Sequence, residues 1–333
     1  MNILGIETSC DETSVAVIVD GRKILSNVIL SQAVHSKFGG VVPEVASRTH
    51  LRTIVPIYRE ALEEAGVSLD DIGLVAATMG PGLVGPLLVG LTFAKGLAFA
   101  RSIPFVPVNH MEGHLAANIL QHPGLDQRHL TLIVSGGHTM LVEVKEFGEY
   151  EILGQTKDDA AGEAFDKVAK IMGLGYPGGA RVDKLATEGD ATYFKFPRPL
   201  LRDDTFQFSY SGLKTAVALH IGKLSAVELD THRADIAASF QEAAIEVLVE
   251  KTLRAAKRHN IRHVTISGGV AANSRLRQWL ADRLEKAGKK LFYPAIELCT
   301  DNAAMIAAAG YYRFQKDGAG EMAANAVPYL KLV

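Results

Sequence analysis

With 333 residues, 48% of them hydrophobic and 22% charged, the chain has globular composition and enough length for two lobes, each with its own core. A formal net charge of −2 excludes a broadly basic surface, so nucleic-acid contact has to come from local patches or be shared with partners. Cys10 and Cys299 are too few and too far apart for a disulfide framework, and a strand-like pattern rather than a signal peptide opens the sequence; a reducing, cytoplasmic setting is expected.

ILGIET, SVAVIVD and KILSNVILS predict three strands in an antiparallel meander, with an Asp20-Gly21 turn. PEVASRTHLRTIVPIYREALEEAG predicts an amphipathic helix. A strand IGLVAAT, a glycine-rich turn with a helix, a strand IPFVPV and a helix beginning at HMEGH follow. Leu74 to Ala100 carries only Lys95 as a charge, but Gly80, Pro81, Gly82, Gly85, Pro86, Gly90 and Gly96 interrupt it. That reads as strand, tight turn and buried helix, not a membrane span.

From residue 129 the order restarts with HLTLIVS, HTMLVEV and YEILGQT as strands and DDAAGEAFDKVAKIMG as a helix. Residues 175–230, rich in Gly, Pro, Phe and polar turns, read as an insertion; a long helix, the strand HVTIS, a helix, the strand KLFYP and a final helix complete the series. The basic run Lys251, Arg254, Lys257, Arg258, His259 and Arg262 is expected to be a solvated helix face. Two halves of similar order predict an α/β protein of duplicated lobes around a cleft. The lobes are expected over 1–127 and 128–300, with a helix over about 301–325 packing back near the cleft.

Three strand-end turns carry small or polar residues: Thr8 to Ser14, Ser135 to Thr139, and Gly268-Gly269 before a helix near Asn273. Exposed amides in such turns cradle phosphate, so a nucleotide cleft is expected. In HMEGH, one helical turn separates His110 from His114, which places both on one face where they can share a metal ion. Asn109 is positioned to cap that helix. The zinc-protease signature has its glutamate directly after the first histidine. Here Glu112 is one place later and turns almost opposite the histidines, so a contact at the surface or to another element is expected for it.

The motifs GIETSCDETSVA, GGVVPEVASRTH, MGPGLVGPLLVG, VNHMEGHL, LIVSGGHT, DDAAGEAFDKVAK with YPGG, FSYSGLKT, SGGVAAN and CTDNAAMIA resemble those of the tRNA N6-adenosine threonylcarbamoyltransferase family. That family lies within the actin, Hsp70 and sugar-kinase superfamily. The resemblance covers essentially the whole chain, apart from the tail after about Gly310. It implies a duplicated actin-like (ribonuclease H-like) ATPase fold with two lobes around a nucleotide cleft. It implies transfer of the threonylcarbamoyl group from threonylcarbamoyl-AMP to the N6 amine of adenosine 37 in tRNAs reading ANN codons, with release of AMP.

By the same resemblance, His110, His114 and Asp301 ligate one divalent metal, Fe(2+) or Zn(2+), which the donor types do not distinguish. Ile133, Val134, Ser135, Gly136, Gly137, Asp166, Gly179, Asp183 and Asn273 contact the adenylate, and the implied partners are tRNA, a smaller paralogous protein of the same fold and a P-loop ATPase. Asp11, in the first turn, is the expected catalytic group that orients or deprotonates the attacking amine. The competing readings are an ATPase or small-molecule kinase of the same fold, a silent nucleotide-binding scaffold, and a metalloprotease, which the position of Glu112 disfavours.

Overall fold

A computed structural model describes residues 1–122, 124–125 and 128–333. The chain divides into two compact units, Met1–Asp126 with Glu146–Gly148 and Pro294–Val333, and Gln127–Lys145 with Glu149–Tyr293.

The first unit is built on β1 (Asn2–Glu7), β2 (Glu12–Val19) and β3 (Lys23–Ser31), then α1 (Pro43–Ala65), β4 (Ile72–Gly80), α2 (Val84–Arg101), β5 (Phe105–Asn109) and α3 (His110–Gln121). Asp20 and Gly21 both take positive φ, 49° and 70°, giving a two-residue turn whose twist suits a right-twisted hairpin. The sheet order is β3-β2-β1-β4-β5, antiparallel across the meander and parallel from β1 through β4 to β5. Almost all of β1 and β4 is buried, as expected of strands covered on both faces. On one face Leu4, Ile6, Val15 and Val17 pack with Ile54, Ile57 and Ala61 of α1 and Leu91, Ala94 and Ala98 of α2. The apolar helix α2 is long enough to cross a membrane by length and composition, but its buried side belongs to this core.

The second unit repeats the plan. It contains β6 (His129–Val134), β7 (Thr139–Glu146), β8 (Glu149–Gln155), α4 (Ala161–Ile171), α5 (Gly178–Ala186), α6 (Ser211–Ile221), α7 (Ala226–Arg258), β9 (His263–Ser267), α8 (Ser274–Lys286) and β10 (Lys290–Phe292). The order β10-β9-β6-β7-β8 is the first sheet's order read from its other edge. The fold is thus a duplicated α/β one of two five-stranded sheets.

The chain then returns to the first unit through α9 (Ile296–Cys299) and α10 (Ala303–Asp317). Leu298 and the run Ala303 to Ala309 pack against Ile3, Ala16, Leu74, Val106 and Val108, on the sheet face that also takes α3. Alanine or glycine at every buried position but Met305 and Ile306 lets α10 lie close: a Cβ on Gly5 would run into the Ala303 carbonyl and the Ala307 side chain.

Two boundaries differ from the sequence expectation. Pro294–Thr300 joins the first unit because Leu298 is buried in its core. The last helix stops at Asp317 rather than near 325, where Gly318 takes φ 80°. The expected lobe boundary at 127 falls outside the described residues. The basic run is also not a simple solvated face. Lys251 is fully buried, with its Nζ 2.7 Å from Asp203 Oδ1 and 3.1 Å from the Thr205 carbonyl, while Arg254 and Arg258 bind Thr205 and Asp204. These charges tie the insertion to α7.

Candidate metal centre

In parallel sheets ligand sites open where strands end at their carboxyl termini. β1 ends at Glu7, β4 at Gly80 and β5 at Asn109, whose Oδ1 accepts the Met111 amide at 2.9 Å and so caps α3. The cap fixes His110 as the first helical residue, with His114 one turn on; their rings meet edge to face at 4.8 Å. Asp301 stands immediately before Asn302, which caps α10 by accepting the Met305 amide at 3.0 Å. Two capped helix starts, more than 190 residues apart in sequence, therefore converge.

Asp301 Oδ1 lies 3.3 Å from His110 Nε2 and 3.4 Å from His114 Nε2. All three donor atoms lie within 4.8 Å of one another, the arrangement that surrounds one divalent ion with two imidazoles and a carboxylate. Both histidines are buried, while Asp301 keeps 21% of its side chain accessible. Burial opposes charge on His110, but the Asp301 and Glu7 carboxylates outweigh it and raise its pKa well above the usual imidazole value. Burial pushes Asp301 up, yet His110 and His114 hold it well below the carboxylate range. Burial lowers His114, keeping it a neutral donor. The residues fit a metal.

HMEGH also shows why its other residues are there. A Cβ on Gly113 would press on Ile306 and Met305, so the glycine lets α3 and α10 approach; the helix stays regular across it. Glu112 does point away from the histidines, as the helix geometry required, but it is buried. Arg313 of α10 grips it with Nε 3.0 and 2.9 Å from its two oxygens. It links two helices, and this ion pair, not a general-base role beside the histidines, is what occupies Glu112.

Asp11 sits half-buried in the turn after β1, its carbonyl accepting the Gln32 amide at 3.1 Å. Burial, then the Asp301 and Asp11 charges, push the neighbouring Glu12 carboxyl well above its usual range, which places Glu12 in the electrostatic field of Asp301. Glu7 escaped the sequence reading. It is fully buried and its carboxylate contacts Ser9, Thr78 and His110. The available signal was an acid closing an otherwise apolar buried strand.

The adenylate candidates lie in the second unit, mostly at strand and helix ends. Ile133 and Val134 are buried at the end of β6, while Gly136 and Gly137 are exposed in a turn closed by Ser135 N to the His138 carbonyl, 2.8 Å, and His138 N to Ser135 Oγ, 3.1 Å. Nothing crowds a Cβ at either glycine or at Gly179. A Cβ on Gly162 or Gly268 would strike the Val134–Gly136 backbone, so these three segments meet. Asp166 accepts the Gly178 amide at 2.7 Å. Asp183 accepts Ser274 N and Oγ at 3.0 and 2.9 Å, beside Asn273, which caps α8 through Oδ1 and donates to Gln241. Asp166, Asp183 and Asn273 thus each have a structural partner already.

Fold and donor set together define a duplicated α/β protein of two units with a candidate mononuclear metal centre. At 16% identity, component A of (R)-2-hydroxyglutaryl-CoA dehydratase from Acidaminococcus fermentans superposes with a TM-score of 0.56 over 95% of this chain and 98% of that one. Full-length HypF does so with 0.62 at 14% identity, over 96% and 56%. These likenesses establish the fold.

A family model described as tRNA N6-adenosine threonylcarbamoyltransferase matches residues 23–308. Proteins of that name from Clostridium botulinum (strain 657) and Clostridium perfringens (strain ATCC 13124) are each 52% identical, covering 100% and 99% of this chain and 98% of their own lengths. The chain belongs to the tRNA N6-adenosine threonylcarbamoyltransferase family.

Proposed function

We propose that this chain transfers the threonylcarbamoyl group of threonylcarbamoyl-AMP to N6 of adenosine 37 in tRNAs that read ANN codons, forming threonylcarbamoyladenosine and releasing AMP. The observation that carries this reading is full-length family membership at 52% identity; the convergence of His110, His114 and Asp301 supports it. In the reaction the N6 nitrogen attacks the carbamoyl carbonyl carbon, the bond from that carbon to the phosphate oxygen breaks, and AMP carries off the electron pair. Asp11 orients the amine and accepts its proton. Ile133 to Gly137, Asp166, Gly179, Asp183 and Asn273 hold the adenylate, the open glycine turn offering its amides to the phosphate. His110, His114 and Asp301 hold Fe(2+) or Zn(2+), which supplies Lewis acidity toward the carbonyl. Holding both reactants in register contributes much of the rate.

The same reading places the protein in the cytoplasm, working with a smaller paralogous actin-like protein and a P-loop ATPase. Exposed Leu51 and Val55 on α1, and Val84 and Leu88 on α2, support a protein partner on the first unit. The test is to supply purified protein and those partners with labelled threonylcarbamoyl-AMP and unmodified tRNA, following label into tRNA alongside ATP hydrolysis and peptide cleavage. Label in tRNA that depends on metal supports the reading; ATP turnover or peptide cleavage without transfer refutes it. Elemental analysis of protein purified without added metal separates iron from zinc.

A further inference from the structure

Glu7 closes β1, the central strand of the first sheet, and none of its side chain is accessible. A buried carboxylate is costly unless its oxygens accept hydrogen bonds, and here three donors serve it. The Ser9 amide donates to Oε1. The Thr78 hydroxyl, from β4, donates to Oε2 at 2.6 Å. His110 Nδ1, at the end of β5, lies 3.0 Å from the same Oε2. The strands β1, β4 and β5 are neighbours in the sheet, so the three side chains form a rigid row across their ends.

The chemistry of this row decides which nitrogen of His110 carries hydrogen. An ionised carboxylate only accepts, so Nδ1 must donate. Ser9 Oγ, 3.3 Å from Nδ1, can accept from it as well. With Nδ1 committed, Nε2 is the nitrogen left to face Asp301 Oδ1 at 3.3 Å and the donor atom of His114. Glu7 binds the ring on the side away from Nε2, and among the described residues the three-donor cluster does not include it.

We propose that Glu7 is a positioning residue of the metal centre. It fixes the ring orientation and the Nδ1–H tautomer of His110, so that Nε2 presents its lone pair to the point shared with His114 and Asp301. Thr78 in turn holds Glu7. A carboxylate behind a ligating histidine both orients the ring and strengthens it as a donor. The inference rests on His110, His114 and Asp301 being the ligand set.

Chelator-competition titrations of the full chain with Zn(2+) alone, with no tRNA or adenylate present, test it. Glu7→Gln replaces an acceptor oxygen by a donor; about 10–100-fold weaker zinc binding is expected. Nitrogen NMR of the zinc-loaded protein reports the tautomer, a readout that a merely structural role would not move. Wild-type His110 should be Nδ1-protonated and zinc-bound through Nε2, and the Gln variant should lose that single state. A folded Gln variant with affinity within about twofold of wild type and an unchanged His110 signal overturns the proposal. If that variant does not fold, Glu7→Asp, which keeps the charge but retracts it by one methylene, is read by the same two criteria. His110→Ala separates the two levels. Unchanged affinity there removes the ligand set and this inference together, whereas lost affinity there with retained affinity at Glu7 removes only the inference.

Discussion

A proton competes with a metal for Nε2 of His110. Asp301 and Glu7 overcome the burial penalty and raise its pKa well above the usual value, which favours a proton on Nε2 in the metal-free protein. Metal uptake must expel that proton. Apparent affinity should therefore fall by about tenfold per pH unit as pH drops below the raised value, and level off above it. Stability of the metal-free protein runs the other way. A raised folded pKa contributes stability that is fully present below the unfolded histidine value and is lost as pH rises through the folded one. Chelator competition and thermal melting across one pH series check both signs, and a pH-independent affinity contradicts them. Asp11 makes the other prediction at this scale. If its carboxylate takes the amine proton, Asp11→Ala should lower single-turnover transfer by about 10²–10⁴-fold with metal stoichiometry unchanged. Full transfer by that variant removes the assignment.

At the level of elements, the centre depends on how closely α10 approaches β1 and α3. Gly5 is the tightest point, since a Cβ there meets the backbone of Ala303 rather than a flexible side-chain end. Gly5→Ala should therefore displace the start of α10, costing about 1–3 kcal/mol. Asp301, two residues before Ala303, should move with it, so melting temperature and zinc affinity are expected to drop together; a stable variant with intact affinity refutes the coupling. The same elements show what was legible in the sequence. The spacing of His110 and His114 and the cap at Asn109 are local, and a 3.6-residue period reveals them. The direction of Glu112 is local too, but its burial is not, because Arg313 lies 201 residues away. Gly113 reads as a flaw in a helix until Ile306 is placed against it. Glu7 was invisible for the same reason: Thr78 lies on β4 and His110 directly follows β5, strands that only the sheet order brings alongside.

For the whole molecule, the order of elements along the chain was legible because each half announces its hairpins and helices through short-range turns and periods. The division of labour was less so, since it depends on which unit the returning chain joins. Every candidate metal ligand, with Asp11 and Glu7, belongs to the first unit, and every adenylate candidate belongs to the second. The first unit buries its own cores on both sheet faces, so removing the imidazoles should not disturb the packing of the second unit's turns. His110→Ala with His114→Ala should therefore abolish zinc binding and transfer while leaving AMP affinity within about twofold of wild type, because each unit keeps its own packing. The converse substitution is Asp183→Ala, expected to weaken AMP binding with zinc stoichiometry intact. It also removes the acceptor of Ser274 N and Oγ at the start of α8, which costs about 1 kcal/mol of local stability. Asp183→Asn retains an acceptor oxygen and so separates the cap from the ligand contact. If Asn restores melting temperature but not AMP affinity, Asp183 meets the nucleotide directly. If it restores both, the aspartate serves only to hold Ser274 at the start of α8, and the adenylate assignment passes to the open glycine turn and Asp166.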